Sequence, residues 1–162
     1  LLELPAELEE EIYEQERSFM NQMSRCENLD EVAKHMHQTF KFIGSVMLKQ
    51  RDSYGKRQAM LALDYIEKNY ADSSVTLNSV GTALAMSTSY FSSVFKNYTG
   101  ETFIECLTKK RMEKAKLLLE HGNLKTYEIA EAVGYSDAHY FSISFKKTVG
   151  KTPTEYAKEV RK

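Results

Sequence analysis

The sequence predicts an all-α fold, on three observations. Apolar residues recur at threes and fours along nearly the whole chain, the spacing of one helix face. The 162 residues include only 7 glycines and 2 prolines, too few for a turn-dense all-β fold. Helix-start pairs, a small polar residue with Glu three positions on, stand at Asn28/Glu31, Thr102/Glu105 and Thr152/Glu155. With 42% hydrophobic and 28% charged residues, the chain has the material for a packed core.

The elements follow in order. Pro5 suits a first helical turn. Leu8, Ile12, Phe19, Met23 and Cys26 then line one helix face. The other face is acidic (Glu7, Glu9, Glu10, Glu11, Glu14, Glu16), close to the helix N-terminus where the macrodipole favours carboxylates. The apolar stripe serves either to pair two chains or to dock on the next helix. Gln15 and Gln22 interrupt its heptad seam, so both readings stay open. A second helix opens at Asn28, with Leu29, Val32, Met36, Phe40 and Ile43 expected inward, which makes the N-terminal segment hairpin-like. Residues 51–56 (RDSYGK) read as a linker. A third helix is expected over 57–70, with Leu61, Tyr65 and Ile66 inward, ended by the polar stretch 71–74.

The most informative feature is an internal repeat. Residues 80–103 (VGTALAMSTSYFSSVFKNYTGETF) recur as 129–153 (IAEAVGYSDAHYFSISFKKTVGKTP). Phe91, Phe95, Lys96 and Gly100 return 50 residues on as Phe141, Phe145, Lys146 and Gly150. Upstream the offset is 49, with Val80, Leu84 and Ser87 matching Ile129, Val133 and Ser136. Each copy reads as a short helix, a tight turn and a second helix, the helix-turn-helix shape, over about 76–99 and 126–149. In the first copy, Thr76 caps a helix burying Leu77, Val80 and Leu84, and Ser87 caps one burying Phe91, Val94, Phe95 and Tyr98. In the second, Thr126 is the expected cap, Ile129 and Val133 the inward residues, and Ser136 or Asp137 the start of the next helix. Gly134 suits the turn, and Gly100 and Gly150 are helix stops.

Between the copies runs a longer helix, opened by Thr102/Glu105 and ended by Gly122. Its buried stripe is Phe103, Leu107, Ala115, Leu118 and Leu119. Some 19 residues at ~1.5 Å rise make a rod of roughly 28 Å, close to one ~34 Å turn of B-DNA. It carries Lys109, Lys110, Arg111, Lys114 and Lys116, of which all but Arg111 read as a solvated face. A last helix opens with Thr152, Pro153 and Glu155.

Charge and composition narrow the chemistry. Residues 1–55 hold 6 Lys/Arg against 11 Asp/Glu, and residues 56–162 hold 16 against 12, so the basic half is the candidate for a polyanion partner. Cys26 and Cys106 fit neither a disulfide framework nor a zinc site, and point to a reducing, cytoplasmic setting. His35 and His37, two apart, fall on different helix faces, which argues against a metal pair. No nucleophile elbow, metal triad or Gly-rich phosphate loop occurs, so no enzyme activity and no cofactor is expected. No apolar run is long enough to span a membrane. Leu1 without a preceding Met suggests a piece of a longer protein.

Three runs carry a resemblance: GYSDAHYFSISFKKTVGKTPTEY, MSTSYFSSVFKNYTGETF and RMEKAKLLL. On them, residues 58–162 resemble the DNA-binding domain of the AraC/XylS family of bacterial transcription regulators. The resemblance implies seven helices, two helix-turn-helix units within a domain spanning 56–162, and a sequence-specific double-stranded DNA site. Residues 1–55 resemble, more loosely, the helical segment that precedes this domain in response regulators and membrane-bound sensors of the family. They show no α/β pattern of a receiver domain. Gly81 departs from the family's usual alanine, and Ile143 stands where relatives typically offer arginine.

Base contacts are expected from Thr88, Ser89, Ser92 and Ser93 in one groove and from Ala138, His139, Ser142 and Ile143 in the next. Phosphate contacts are expected from Ser87, Lys96, Ser136, Lys146 and Lys147. Tyr90 and Tyr140 are expected in core or backbone packing, and Arg111 is expected to be tied down structurally. The partners implied are double-stranded DNA, a second copy through residues 1–55, and RNA polymerase. The alternative is a helical protein-interaction module without DNA binding, which the small outward residues favour.

Overall fold

A computed structural model describes residues 6–121 and 124–161, so Pro5 and Gly122 lie outside the described residues. The elements are α1 (Ala6–Met23), α2 (Leu29–Asn69), α3 (Leu77–Ala83), α4 (Thr88–Thr99), α5 (Phe103–His121), α6 (Thr126–Ala132), α7 (Ala138–Val149) and α8 (Pro153–Val160). The described residues contain no strand. The chain divides into two compact units, Leu1–Tyr54 and Gly55–Lys162.

The first unit holds α1 and the beginning of α2. A turn over residues 24–28 reverses the chain, and Asn28 caps α2 by accepting from the Glu31 amide at 2.9 Å. The two helices run antiparallel, with Lys49 Nζ 3.3 Å from the Glu11 carboxylate and with Leu8 and Val46 buried. Of the two readings of the α1 stripe, docking on the neighbouring helix is the one its burial supports. The expected inward face of α2 is corrected. Leu29, Met36, Phe40 and Ile43 are exposed, and the shielded positions are Val32, His35, Thr39, Phe42 and Val46. Helical spacing is legible there, but the shielded stripe includes His35 and Thr39 whereas the exposed one is wholly apolar, so hydrophobicity points to the wrong face.

The linker over 51–56 is also corrected, because α2 continues through it without a break. The stretch contains no proline, and one mid-helix glycine costs only about 1 kcal/mol. Gly55 is buried, and a Cβ there would lie 2.9 Å from Tyr98 Cε2, so this glycine permits close approach rather than flexibility. Further along α2, Leu61 is exposed, and Ala59, Ala62 and Ile66 face inward. Tyr65 packs against this core and Ile66 is buried as expected, so only Leu61 is corrected, and Ala62 takes its place because alanine gives almost no hydrophobic signal.

The second unit is built on two cores sharing one helix. The first core joins Ala62 and Ile66 of α2, Val80 of α3, Phe91, Val94 and Phe95 of α4, and Phe103 and Leu107 of α5. Phe91, Phe95 and Phe103 meet with ring centroids 5.6–5.8 Å apart, in tilted and edge-on geometry. The second core joins Met112, Ala115 and Leu119 of α5 to Ile129, Ala130, Val133, Tyr135, Phe141 and Phe145. The N-terminal half of α5 thus belongs to one core and the C-terminal half to the other. Helix α8 closes the second core. Tyr156 donates to Glu120 at 2.6 Å, which pushes its phenol up to about 12, and Arg161 Nε donates to the Leu119 carbonyl at 2.7 Å.

Caps fall largely where the sequence places them. Thr76 with Ser79, Thr102 with Glu105 and Thr152 with Glu155 form reciprocal pairs, and Ser87 accepts from the Tyr90 amide. Thr126 does not cap α6. Lys125 holds the N-cap position and Thr126 is the first helical residue, with Glu128 accepting the Lys125 amide at 2.6 Å. Glu128 thus accepts at this helix start, where the Thr126 hydroxyl was expected to do so.

Gly134 turns the chain at φ +85°, and an added Cβ would lie 2.6 Å from the Tyr70 carbonyl oxygen. Gly134→Ala combines a left-handed alanine with a backbone clash and is expected to cost about 2–4 kcal/mol, measured by urea unfolding. An unchanged midpoint would show that this turn relaxes freely.

Candidate nucleic-acid interface

The two helix-turn-helix units expose equivalent faces of α4 and α7. On each helix the phenylalanines at a spacing of four are fully buried, which directs the opposite side outward. Positions 88, 89, 92, 93 and 96 of α4 correspond to 138, 139, 142, 143 and 146 of α7. Ser89, Ser93 and Lys96 are exposed on the first, and His139, Ile143, Lys146 and Lys147 on the second. Ile143 is 53% exposed, a large apolar side chain on an otherwise polar surface.

Thr88, Ser92, Ala138 and Ser142 are half-buried and less free. The Thr88 hydroxyl lies 2.8 Å from Asn78 Oδ1 and ties α4 to α3. The Ser142 hydroxyl donates to the Ala138 carbonyl at 2.8 Å. Tyr90 and Tyr140 are corrected. Both are exposed, because they sit on the shoulder of the helix rather than on the phenylalanine side. Tyr140 rests on Tyr135, with centroids 6.0 Å apart.

The N-termini of the two helices differ. Ser87 is the neutral cap of α4. In α7 the cap is Asp137, whose carboxylate accepts from the His139 and Tyr140 amides at 2.7 and 3.2 Å. The structural counterpart of Ser87 is therefore Asp137, and Ser136 lies outside the helix. A helix N-terminus attracts phosphate through free amides and the macrodipole. The α4 end retains that capacity, whereas the Asp137 carboxylate already occupies it at α7. The sequence signal was the extra residue between the copies, which falls at this cap.

Lys96 and Lys146 each lie beside the glutamate that caps the following helix. Glu105 and Glu155 are held below the usual carboxylate range by the Thr102 and Thr152 amides and hydroxyls, and to a lesser degree by these lysines. The α5 cations are largely engaged within the chain. Lys109 pairs with Glu101, Lys110 pairs with Glu67, and Lys114 lies over the Tyr70 ring.

Arg111 is tied down, 9% exposed. Its Nε donates to the Tyr70 carbonyl at 2.8 Å and its Nη2 to the Asp72 carbonyl at 2.9 Å. The guanidinium also lies 5.3 Å from the Tyr135 ring centroid. Among the described residues no cluster of side chains could hold a metal ion, and no helix is long and apolar enough to cross a membrane.

Residues 80–159 match the family model described as a helix-turn-helix domain. The chain is 38% identical over 96 residues to an uncharacterized HTH-type transcriptional regulator of Escherichia coli, YijO, a match covering 59% of this chain and 34% of that protein. The C-terminal domain of AraT, a response regulator from Geobacillus stearothermophilus, is 44% identical with a TM-score of 0.62, covering 63% of this chain and 84% of that one. The C-terminal domain of the two-component response regulator YesN from Fusobacterium nucleatum is 46% identical with a TM-score of 0.59, covering 60% and 95%. The chain thus spans about a third of the length of the curated relative and most of each solved domain. Two helix-turn-helix units sharing one core helix define a DNA-binding regulator of transcription. The chain belongs to the AraC-type family of these bacterial proteins.

Removing Arg111 strands two carbonyls and the packed ring of Tyr135. Arg111→Ala is expected to cost about 3 kcal/mol in urea unfolding. Arg111→Lys should recover less than half, because an ammonium cannot bridge both carbonyls as the planar fork does. Full recovery by lysine would show that charge alone matters at this position.

Proposed function

We propose that this chain is the DNA-reading part of a cytoplasmic regulator, with α4 and α7 entering successive major-groove segments of one DNA face. The observation that supports it is the repeated outward face, five matched positions on each helix, at either side of a 19-residue α5 of roughly 28 Å. In this reading the chain acts by binding rather than by catalysis. Ser89, Ser93, His139 and Ile143 face bases most directly, with Thr88, Ser92, Ala138 and Ser142 at the edges. Lys96, Lys146, Lys147 and Ser87 meet phosphates, and Ser136 does so from the turn before α7. Two copies paired through residues 1–55 would occupy a doubled site, and RNA polymerase is the partner for activation.

Affinity in this arrangement comes chiefly from phosphates, since no Arg, Asn or Gln occupies an outward base-facing position. Footprinting should show two protected segments about 10 bp apart on one face. A single segment of half that span would overturn the paired geometry. Lys96→Ala and Lys146→Ala should each weaken all duplexes alike and lower the salt slope by about 1. Loss of only the preferred sequence, with the slope unchanged, would make that lysine a base reader. Absence of any salt-dependent duplex binding would favour the protein-interaction reading, which the small side chains of α4 support.

Ile143 can neither donate nor accept, but it can pack on the C5-methyl of thymine. Replacing the facing T by uracil should cost up to about 1 kcal/mol, the burial of one methyl. Ile143→Ala should abolish that difference. Equal affinity for T and uracil at every position of the second half-site would exclude the contact.

A further inference from the structure

The first unit exposes an apolar face that its own fold leaves uncovered. On α2, Met36, Phe40, Ile43 and Met47 follow one another at intervals of 4, 3 and 4, the seam a helix offers to another helix. Phe40 and Met47 are each 65% exposed. Each of the four sits one residue after a buried or half-buried position, namely His35, Thr39, Phe42 and Val46. On α1, Tyr13 and Met20 likewise sit one residue after Ile12 and Phe19, and both are exposed.

One residue is a step of about 100° around a helix. Because α1 and α2 run in opposite directions, the same step on each leads to the same side of the hairpin. Counting along the antiparallel helices from the Glu11–Lys49 pair brings Tyr13 to about the level of Met47 and Met20 to about that of Phe40. The six side chains therefore form one face.

We propose that this face binds a second copy of the chain, closing a four-helix bundle. The inference rests on the paired reading given above and names its surface. Over two copies, six side chains of this size bury on the order of 1,200 Å², above the ~1,000 Å² a specific interface needs. Charge selects the arrangement. Helix α1 carries Glu9, Glu10, Glu11, Glu14 and Glu16 against Arg17, whereas residues 29–54 of α2 carry Lys34, Lys41, Lys49 and Arg51 against Asp30, Glu31 and Asp52, with no acid between 34 and 51. A two-fold axis along the helices lays each α1 over the α2 of the other copy, acid against base. The perpendicular axis would set acidic α1 on acidic α1.

Sedimentation equilibrium of the whole 162-residue chain tests this. The expected result is a dimer of the 18.7 kDa chain at micromolar concentration, weakening several-fold from low to high salt. Phe40→Glu should give a monomer with unchanged helical circular dichroism, and Phe40→Leu should remain dimeric. If Phe40→Glu loses helicity, the milder double variant Ile43→Gln with Met47→Gln replaces it, with the same expectation. A wild-type chain that stays monomeric at tens of micromolar overturns the proposal, as does a Phe40→Glu dimer as tight as wild type. A dimer that tightens with salt overturns the pairing of α1 with α2. Binding to a duplex carrying one site is measured alongside. Monomeric wild type that still binds refutes only the dimer face, and a dimer that binds no duplex refutes only the DNA reading.

Discussion

The guanidinium of Arg111 joins the two halves of the DNA-binding unit. It stands near the middle of α5, between Leu107 of the first core and Met112 of the second. Its donors reach carbonyls just beyond the end of α2, and its face covers Tyr135 in the turn of the second helix-turn-helix. Burial pulls this group down from its usual value, and a buried charge is tolerable only when its donors are satisfied. The two carbonyls take two of these donors, and they lie at the negative end of the α2 dipole. Gly134 completes the joint, because only a residue without a Cβ lets the second turn approach the Tyr70 carbonyl so closely.

Rigidity at this joint gives the spacing of the recognition helices its meaning. The length of α5 sets how far apart α4 and α7 stand, and the Arg111 contacts brace the second helix-turn-helix against the end of α2. Both helices are seated by the same device, a pair of fully buried phenylalanines on the inward side. Outward residues can then vary without disturbing the seat. That freedom is visible here in two helices of one fold, one lined with serines and the other carrying His139 and Ile143.

The two copies are not interchangeable at their turns. Gly134 and Ala85 occupy matching places with positive φ, +85° and +54°, so the first turn tolerates a side chain where the second cannot. Only the second turn is crowded by Arg111. The caps diverge as well, neutral at Ser87 and anionic at Asp137. The Asp137 carboxylate accepts from two amides at the start of α7, His139 and Tyr140, where the Ser87 hydroxyl of α4 accepts from Tyr90.

The repeat, the buried phenylalanines, the capping pairs and the outward positions of Ser89, Ser93, His139 and Ile143 were legible in the sequence by itself. Each is local: a side-chain period, a cap or a turn residue constrains only neighbours within a few positions. What tertiary structure decided were choices between equally helical alternatives. The two stripes of α2 lie one residue apart, and packing within the hairpin leaves Val32, Phe42 and Val46 covered while Phe40 and Met47 are exposed. Residues 51–56 look like a linker because glycine and polar residues gather there, yet packing against Tyr98 turns Gly55 into a contact. Asp137 prevailed over Ser136 as the cap once the turn through Gly134 had fixed where α7 begins. In each case local propensities differed by about 1 kcal/mol or less, and contacts between distant segments outweighed them.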